Sequence, residues 1–285
     1  MPDAQDPRRN RPVVVITGTT QGIGRVCALE LAQAGRTVVM LVRNIAAGVL
    51  VQREIEALVA GADVRVVECD LASLASVREA ARQVKHEVSH VDSLINNAGM
   101  VSMQRRTSVD GFELTFATNH LGPFLLTECL RSQIGVGGRI INVASRVHHK
   151  GRVDLDQVRA DAPGTWRPGA AYARSKLANV LHTFALARRM AGTGVRVNCL
   201  HPGVVRSHLL PAWLRLVKPI ISPEIIDAVA GARTTMYLAL SEAGADLHGT
   251  YLDEHQTVVP ASALAQDEAL QEALWAASLR WTGLG

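Results

Sequence analysis

Val13-Val14-Val15-Ile16-Thr17-Gly18-Thr19-Thr20-Gln21-Gly22-Ile23-Gly24 sets a continuous run of β-branched residues directly before a glycine-rich turn. Such a run, with no polar alternation, predicts a strand buried on both faces. A helix follows over 23–34 and stops at Gly35, a natural C-terminal cap. Gly18, Gly22 and Gly24 let the backbone pass close to a pyrophosphate and let the helix pack tightly. The helix N-terminus adds N–H groups and a positive dipole end. The glycine spacing differs from G-x-G-x-x-G, so the reading rests on the position of the turn between a buried strand and a helix.

Working outward, strands over 37–42, 64–68, 93–96, 139–144, 195–200 and 249–252 alternate with helical stretches. The helices are predicted over 46–59, 73–88, 111–130 with a bend at Gly122-Pro123, 170–191, 225–240 and 267–281. This rhythm predicts βαβ units, hence an α/β fold: a single Rossmann-type doubly wound parallel sheet flanked by helices on both faces. The pattern fills residues 1–285 as one domain, with a flexible N-terminus over 1–11 and an irregular insertion over 146–169. An apolar, proline-hinged segment over 207–222 reads as a lid over a hydrophobic pocket. The tail helix is expected to cover the core edge or a partner.

Of the residues, 48% are apolar, which suits a large core, and the net charge of +4 is spread along the chain rather than clustered as a nucleic-acid surface requires. Cys27, Cys69, Cys129 and Cys199 are far apart and lack metal-ligand spacing, so buried thiols in a reducing compartment and no metal are expected. No apolar run reaches the ~18–20 residues that span a bilayer. Met1–Pro12 is polar and lacks the apolar core of a signal peptide. A cytoplasmic protein without stable membrane insertion is the expectation.

The chemistry is concentrated in Tyr172-Ala173-Arg174-Ser175-Lys176. Tyr and Lys four apart share a helix face. An ammonium beside the phenol favours the phenolate and draws a pKa near 10 toward working pH. The pair is then an acid–base catalyst for exchange between an alcohol and a carbonyl, and the dinucleotide loop supplies the matching hydride carrier. At the end of the second strand, Leu41-Val42-Arg43-Asn44 has no carboxylate for ribose hydroxyls, whereas Arg43 suits a 2′-phosphate and Arg25 offers a second contact. NADP(H) is therefore the preferred cofactor, with NAD(H) usable. Asp70-Leu71 after the third strand could meet the adenine amino group, or serve as a helix cap. Asn97, Ala98 and Gly99 close the fourth strand; Pro202, Gly203, Val205 and Ser207 follow a later one, with backbone suited to the nicotinamide carboxamide.

With these residues assembled, the chain resembles the short-chain dehydrogenase/reductase family over nearly its whole length. The matching elements are Thr17-Gly18, Gly22-Ile23-Gly24, Asn97-Ala98-Gly99, Asn119, Ser145, Tyr172, Lys176 and Pro202-Gly203. Tyr172 to Asn179, Thr193-Gly194, His201 to Ser207 and Asn119-His120-Leu121-Gly122 look most like the retinol-dehydrogenase-like and WW-domain-oxidoreductase-like branch. Ser145 precedes Tyr172 by 27 positions, a longer insertion than in most members and one that this branch carries. The apolar anchor of its microsomal members does not show in Met1–Pro12.

The resemblance implies a catalytic set of Asn119, Ser145, Tyr172 and Lys176. Tyr172 would be the acid–base group, Ser145 a donor to the substrate oxygen, Lys176 a tuner of the phenol and a ribose contact, and Asn119 the holder of a water relay. It implies cofactor contacts from Gly18, Thr20, Gln21, Gly22, Ile23 and Gly24, and a homodimer or homotetramer built on the helices near 119–130 and 177–190. The expected substrate is a small-to-medium, hydrophobic carbonyl or alcohol. The alternatives are enone or imine reduction in the same site, and a non-catalytic NADP-binding regulator; the presence of Tyr172 and Lys176 weighs against the regulator. His148 and His149 are expected in solvent, with substrate contact as the alternative, and His201 in a structural role.

Overall fold

A computed structural model describes residues 11–159, 161–162, 164–205 and 225–285. The expected flexible N-terminus through residue 10 and the expected lid over 207–222 lie outside the described residues.

Strand β1, Val13–Thr17, is buried at every position. Side chains alternate across a strand, so Val13 and Val15 enter one core while Val14 and Ile16 enter another. Around β1 lie helix α1 (Gly22–Gln33), β2 (Thr37–Val42), α2 (Ile45–Leu58), β3 (Asp63–Glu68), α3 (Leu74–Glu87) and β4 (Ser93–Asn96). The second half adds β5 (Arg139–Val143), a long α6 (Pro168–Met190), β6 (Arg196–Leu200) and β9 (Tyr251–Leu252). The seven strands pair in the order β3-β2-β1-β4-β5-β6-β9, and every pair in that sheet is parallel. This is the doubly wound α/β sheet that the alternating pattern predicts.

One core joins Val14, Ile16, Val38 and Met40 to Leu31 of α1 and Ile55 of α2. The other joins Val15, Val39 and Leu41 to Val77 and Val84 of α3 and to Leu186 of α6. Each buried branched side chain contributes about 1.5–3 kcal/mol, so these rows lock the strand ends, and the loops they carry, in place.

Two local readings are corrected. The helix expected over 111–130 is composite: α4 (Leu114–Phe116), a π-helical turn over Ala117–Leu121, then α5 (Gly122–Leu130). Glu113 starts it by accepting the Thr115 and Phe116 N–H groups, each at 3.0 Å. The irregularity therefore precedes Gly122-Pro123. A Cβ at Gly122 would lie 2.4 Å from the Leu71 carbonyl oxygen, so close approach to the turn after β3 demands glycine there. The helix expected over 225–240 splits as well. Ile225–Ile226 form β8 and pair with β7, Val204–Val205, while Asp227 caps α7 (Ala228–Leu240) through the Ala230 N–H at 2.7 Å. β-branched residues before an Asp favour this strand-then-cap arrangement.

After the short α8 (Glu242–Asp246), β9 and α9 (Ala263–Gln266), the tail forms α10, Glu268–Thr282. It lies across α5 and α6. Trp275 packs on Phe124 and His182 with ring centroids 5.1 and 5.7 Å apart, and Trp281 meets Phe112 and Phe116 at 5.9 and 6.0 Å. The Arg189 guanidinium sits 4.0 Å above Trp275, and Glu272 pairs with both Arg188 and Arg189. The faces of α5 and α6 that carry Phe124, His182 and Arg189 are thus packed against the chain's own α10.

Candidate active site

The carboxyl ends of the parallel strands gather the candidate residues at one edge of the sheet, as expected of such folds. At the first crossover, Gly18 has φ +74°, and a Cβ there would lie 2.8 Å from Ala98 Cα. A Cβ at Gly24 would lie 2.2 Å from the Gly18 carbonyl oxygen. The loop and the end of β4 are joined by Thr17 Oγ1, which accepts the Asn97 and Ala98 N–H groups at 3.1 and 3.0 Å. Asn97 returns its amide to the carbonyls of Thr17 at 2.8 Å and Gly18 at 3.3 Å. Its side-chain amide thereby shapes the loop.

A dinucleotide phosphate fits what the loop offers. Gln21, at the N-cap of α1, makes no capping bond, so the first-turn N–H groups face outward. A Cβ at Gly22 would meet nothing within 4 Å. Thr19 Oγ1 is buried with no partner among the described residues, an orphan that calls for a ligand or water. Thr20, Gln21 and Ile23 lie in the same turn.

Arg43 stands exposed just past β2, and Asn44 is occupied as the cap of α2 through the Ala47 N–H at 3.1 Å. Arg25 is paired with Glu54 of α2, so the second phosphate contact considered for it meets a competing carboxylate. Asp70 Oδ1 accepts the Ala72 N–H at 2.9 Å, and the cap of α3 is Ser73 instead. Leu71 is buried and presses on Gly122. Past β6, Gly203 has φ +83°, with Ile226 closing over it. Val205 and Ile23 both reach Gly231 on α7, which brings the Pro202–Val205 segment back beside the glycine loop. Ser207 lies outside the described residues.

The candidate proton-transfer groups converge next to this cleft. The Tyr172 hydroxyl hydrogen-bonds Ser145. Lys176 Nζ lies 5.8 Å from the Tyr172 ring centroid and donates to the Val143 carbonyl oxygen at 2.7 Å. A Cβ at Gly99 would stand 3.4 Å from Lys176 Nζ and 3.7 Å from Asn119 Oδ1. The electrostatics run against the simple expectation. Burial pushes the Tyr172 phenol up to about 12, with the Ser145 hydrogen bond pulling weakly the other way. Burial also draws the Lys176 ammonium down to about 8. The ammonium sits against a backbone carbonyl rather than the phenol oxygen, so desolvation outweighs its attraction for a phenolate. At neutral pH the site holds a protonated phenol beside a charged lysine.

Asn119, expected to hold a water relay, is itself fixed by three side-chain hydrogen bonds. Its Oδ1 accepts the Met100 N–H at 2.8 Å, and its Nδ2 donates to the Met100 carbonyl at 2.9 Å and to Ser175 Oγ at 3.0 Å. Ser175 Oγ in turn donates to the Tyr172 carbonyl at 2.8 Å. With both amide hydrogens used, Asn119 ties the loop after β4 to α6.

The sequence reading misses His148. It is fully buried, not solvated, whereas His149 is exposed. His148 Nε2 accepts the Ser262 N–H at 3.1 Å, so Nδ1 carries the hydrogen and donates to the Ser145 carbonyl at 2.8 Å. The His148 backbone N–H donates to the same carbonyl at 3.0 Å. Burial holds the imidazole down at about 4, so it stays neutral. His148 is a positioning residue for Ser145, and its partner, 114 residues downstream, leaves no mark in local sequence. His148→Ala is expected to lower kcat roughly 10- to 100-fold by loosening Ser145, with cofactor affinity unchanged. His148→Asn, which keeps a donor near Nδ1, should recover much of that loss; equal kcat for the two variants would exclude the positioning role.

The short chain dehydrogenase family profile matches residues 12–215. Retinol dehydrogenase 13 of Homo sapiens is 38% identical over 289 residues, covering 95% of this chain and 84% of that protein. Retinol dehydrogenase 11 of Homo sapiens is 37% identical over 276 residues, covering 95% and 86%. Among solved structures, a protein from Mycobacterium paratuberculosis aligns with a TM-score of 0.78 at 34% identity, covering 97% of each chain. A short chain dehydrogenase from Burkholderia cenocepacia J2315, in complex with NADP, aligns at 0.68 and 25% identity, covering 86% of this chain and 97% of that one.

Proposed function

The chain belongs to the short-chain dehydrogenase family, and from that premise we propose an NADP(H)-dependent oxidoreductase that reduces a hydrophobic carbonyl to its alcohol. The observation that carries this reading is the Ser145–Tyr172 hydrogen bond with Lys176 behind it, beside a glycine loop. A bound nicotinamide supplies the hydride. Ser145 orients the carbonyl oxygen and donates to it as negative charge builds there. Tyr172, held protonated by burial, delivers the proton to that oxygen; this is the ionisation state that reduction needs. Lys176 keeps a positive charge below pH of about 8 close to the developing alkoxide. The names of the relatives support a lipophilic alcohol or aldehyde of retinoid type as substrate.

Arg43 supports the choice of NADP(H), because no carboxylate stands at the end of β2 to oppose a 2′-phosphate. With a ketone and aldehyde panel assayed with both cofactors, Arg43→Asp is expected to lower kcat/KM for NADPH by about 10- to 100-fold, the worth of a lost charge-assisted contact. NADH turnover should hold or rise. An unchanged NADPH/NADH ratio would mean that a different group reads the phosphate.

A further inference from the structure

Asn119 stands one position before His120 in the π-helical turn of Ala117–Leu121, and the two side chains tie that turn to different neighbours. Asn119 holds the Met100 backbone and Ser175 of α6. Successive residues of a helix point roughly 100° apart, and the His120 ring meets α10 instead. His120 Nε2 and Ser278 Oγ share a hydrogen bond of 3.0 Å. Both residues are buried, His120 at 1% exposure and Ser278 at 0%. Around the imidazole stand Phe116, Phe124 and His182, with ring centroids 5.0, 6.1 and 6.0 Å away.

A single hydrogen bond among aromatic rings fixes position more sharply than the rings do. Apolar surfaces tolerate a small slide, whereas a buried polar pair pulled apart leaves two groups unpaired in low-dielectric surroundings. The turn that this bond restrains is wound wide. The Gly122 N–H donates to the Ala117 carbonyl, five residues back, a winding that is rare and recurs at functional sites.

Helix α10 offers a fixed base for the restraint. Near its start, Glu272 pairs with Arg188 and Arg189 of α6. At its end, Arg78 of α3 donates to the Thr282 carbonyl. Ser278 lies between these two ties.

We infer that His120 and Ser278 are positioning residues: through their hydrogen bond the tail helix sets where the Asn119 amide sits, and with it the loop after β4 and Tyr172. The path is continuous. From Ser278 it passes to His120 and along one peptide to Asn119. Asn119 Nδ2 then donates to Ser175 Oγ at 3.0 Å, which donates to the Tyr172 carbonyl at 2.8 Å. The effect on rate rests on the oxidoreductase reading of Tyr172; the coupling of α10 to Asn119 does not.

Ser278→Ala in the full chain tests both parts. Alanine suits a helix better than serine, so folding should hold. On the carbonyl panel kcat should fall about 5- to 20-fold, as for a displaced reacting group, with KM for NADPH unchanged. In an Asn119→Ala background the same substitution should cost less than about 2-fold, because residues acting through one another are not additive. Backbone hydrogen exchange over residues 99–104, measured without substrate, should quicken as the Met100 N–H loses a firmly held Asn119 acceptor. Glu272→Gln loosens the same helix at an exposed ion pair and should change neither kcat nor that exchange. Unchanged exchange in Ser278→Ala, full additivity with Asn119→Ala, or an equal loss in Glu272→Gln would each overturn the inference. Faster exchange in Ser278→Ala, together with a wild-type chain inactive on the whole panel, would strike the oxidoreductase reading and leave the coupling standing.

Discussion

Tyr172→Phe is expected to lower carbonyl turnover by roughly 10²- to 10⁴-fold, the usual worth of a positioned general acid. The substitution removes one oxygen and keeps the ring that packs beside Lys176. What disappears is the proton donor and its hydrogen bond with Ser145. The glycine loop, Asn97 and Thr17 are untouched, so NADPH should still bind with its original affinity. Steady-state rates paired with a fluorescence titration of NADPH separate the two effects. Turnover retained in the variant would remove Tyr172 from the chemistry. Lost NADPH binding would instead point to a structural role for the hydroxyl.

The second large effect is loss of stability in acid. Burial holds His182 down at about 3 and His148 and His201 at about 4, while His120 lies well below its ordinary value for the same reason. An unfolded chain titrates these rings near 6.5. Between that value and the folded ones, the unfolded state binds more protons, so stability is complete above pH of about 6.5 and drains away as pH falls. Each histidine contributes a slope of about 1.4 kcal/mol per pH unit. Four together approach ~5 kcal/mol per unit, against a total stability on the order of 5–15 kcal/mol. Glu30 and Glu128, whose carboxyls burial raises, oppose this weakly. The urea midpoint should therefore fall steeply between pH 7 and pH 5. His182→Leu should flatten the slope by about one proton. A midpoint independent of pH across that interval would show that these rings are not held neutral by the fold.

What the sequence made legible follows from how local each signal is. β1, β2 and β4 appear at or within a residue of their expected bounds because continuous β-branched runs and glycine turns are short-range signals. The Tyr172–Lys176 pairing is legible for the same reason: four residues on one helix need no tertiary information. The phenol's ionisation is not. It depends on how deeply the whole fold buries both groups, and burial prevails over the neighbouring charge. His148 needed Ser262, and Ile225–Ile226 needed Val204–Val205, partners that only the folded chain supplies. The π-helical turn at Asn119 runs up to Gly122, whose packing on Leu71 is again a contact that only the folded chain supplies.

Helix α10 gives α6 an outer wall. The helix becomes a rod held on two sides, by the sheet within and by Trp275, against His182 and Arg189, without. Tyr172 and Lys176 lie on the same helix, more than one turn before that aromatic contact. Drift in the tail could stiffen or slacken the chemistry while every residue of the catalytic cleft stayed the same.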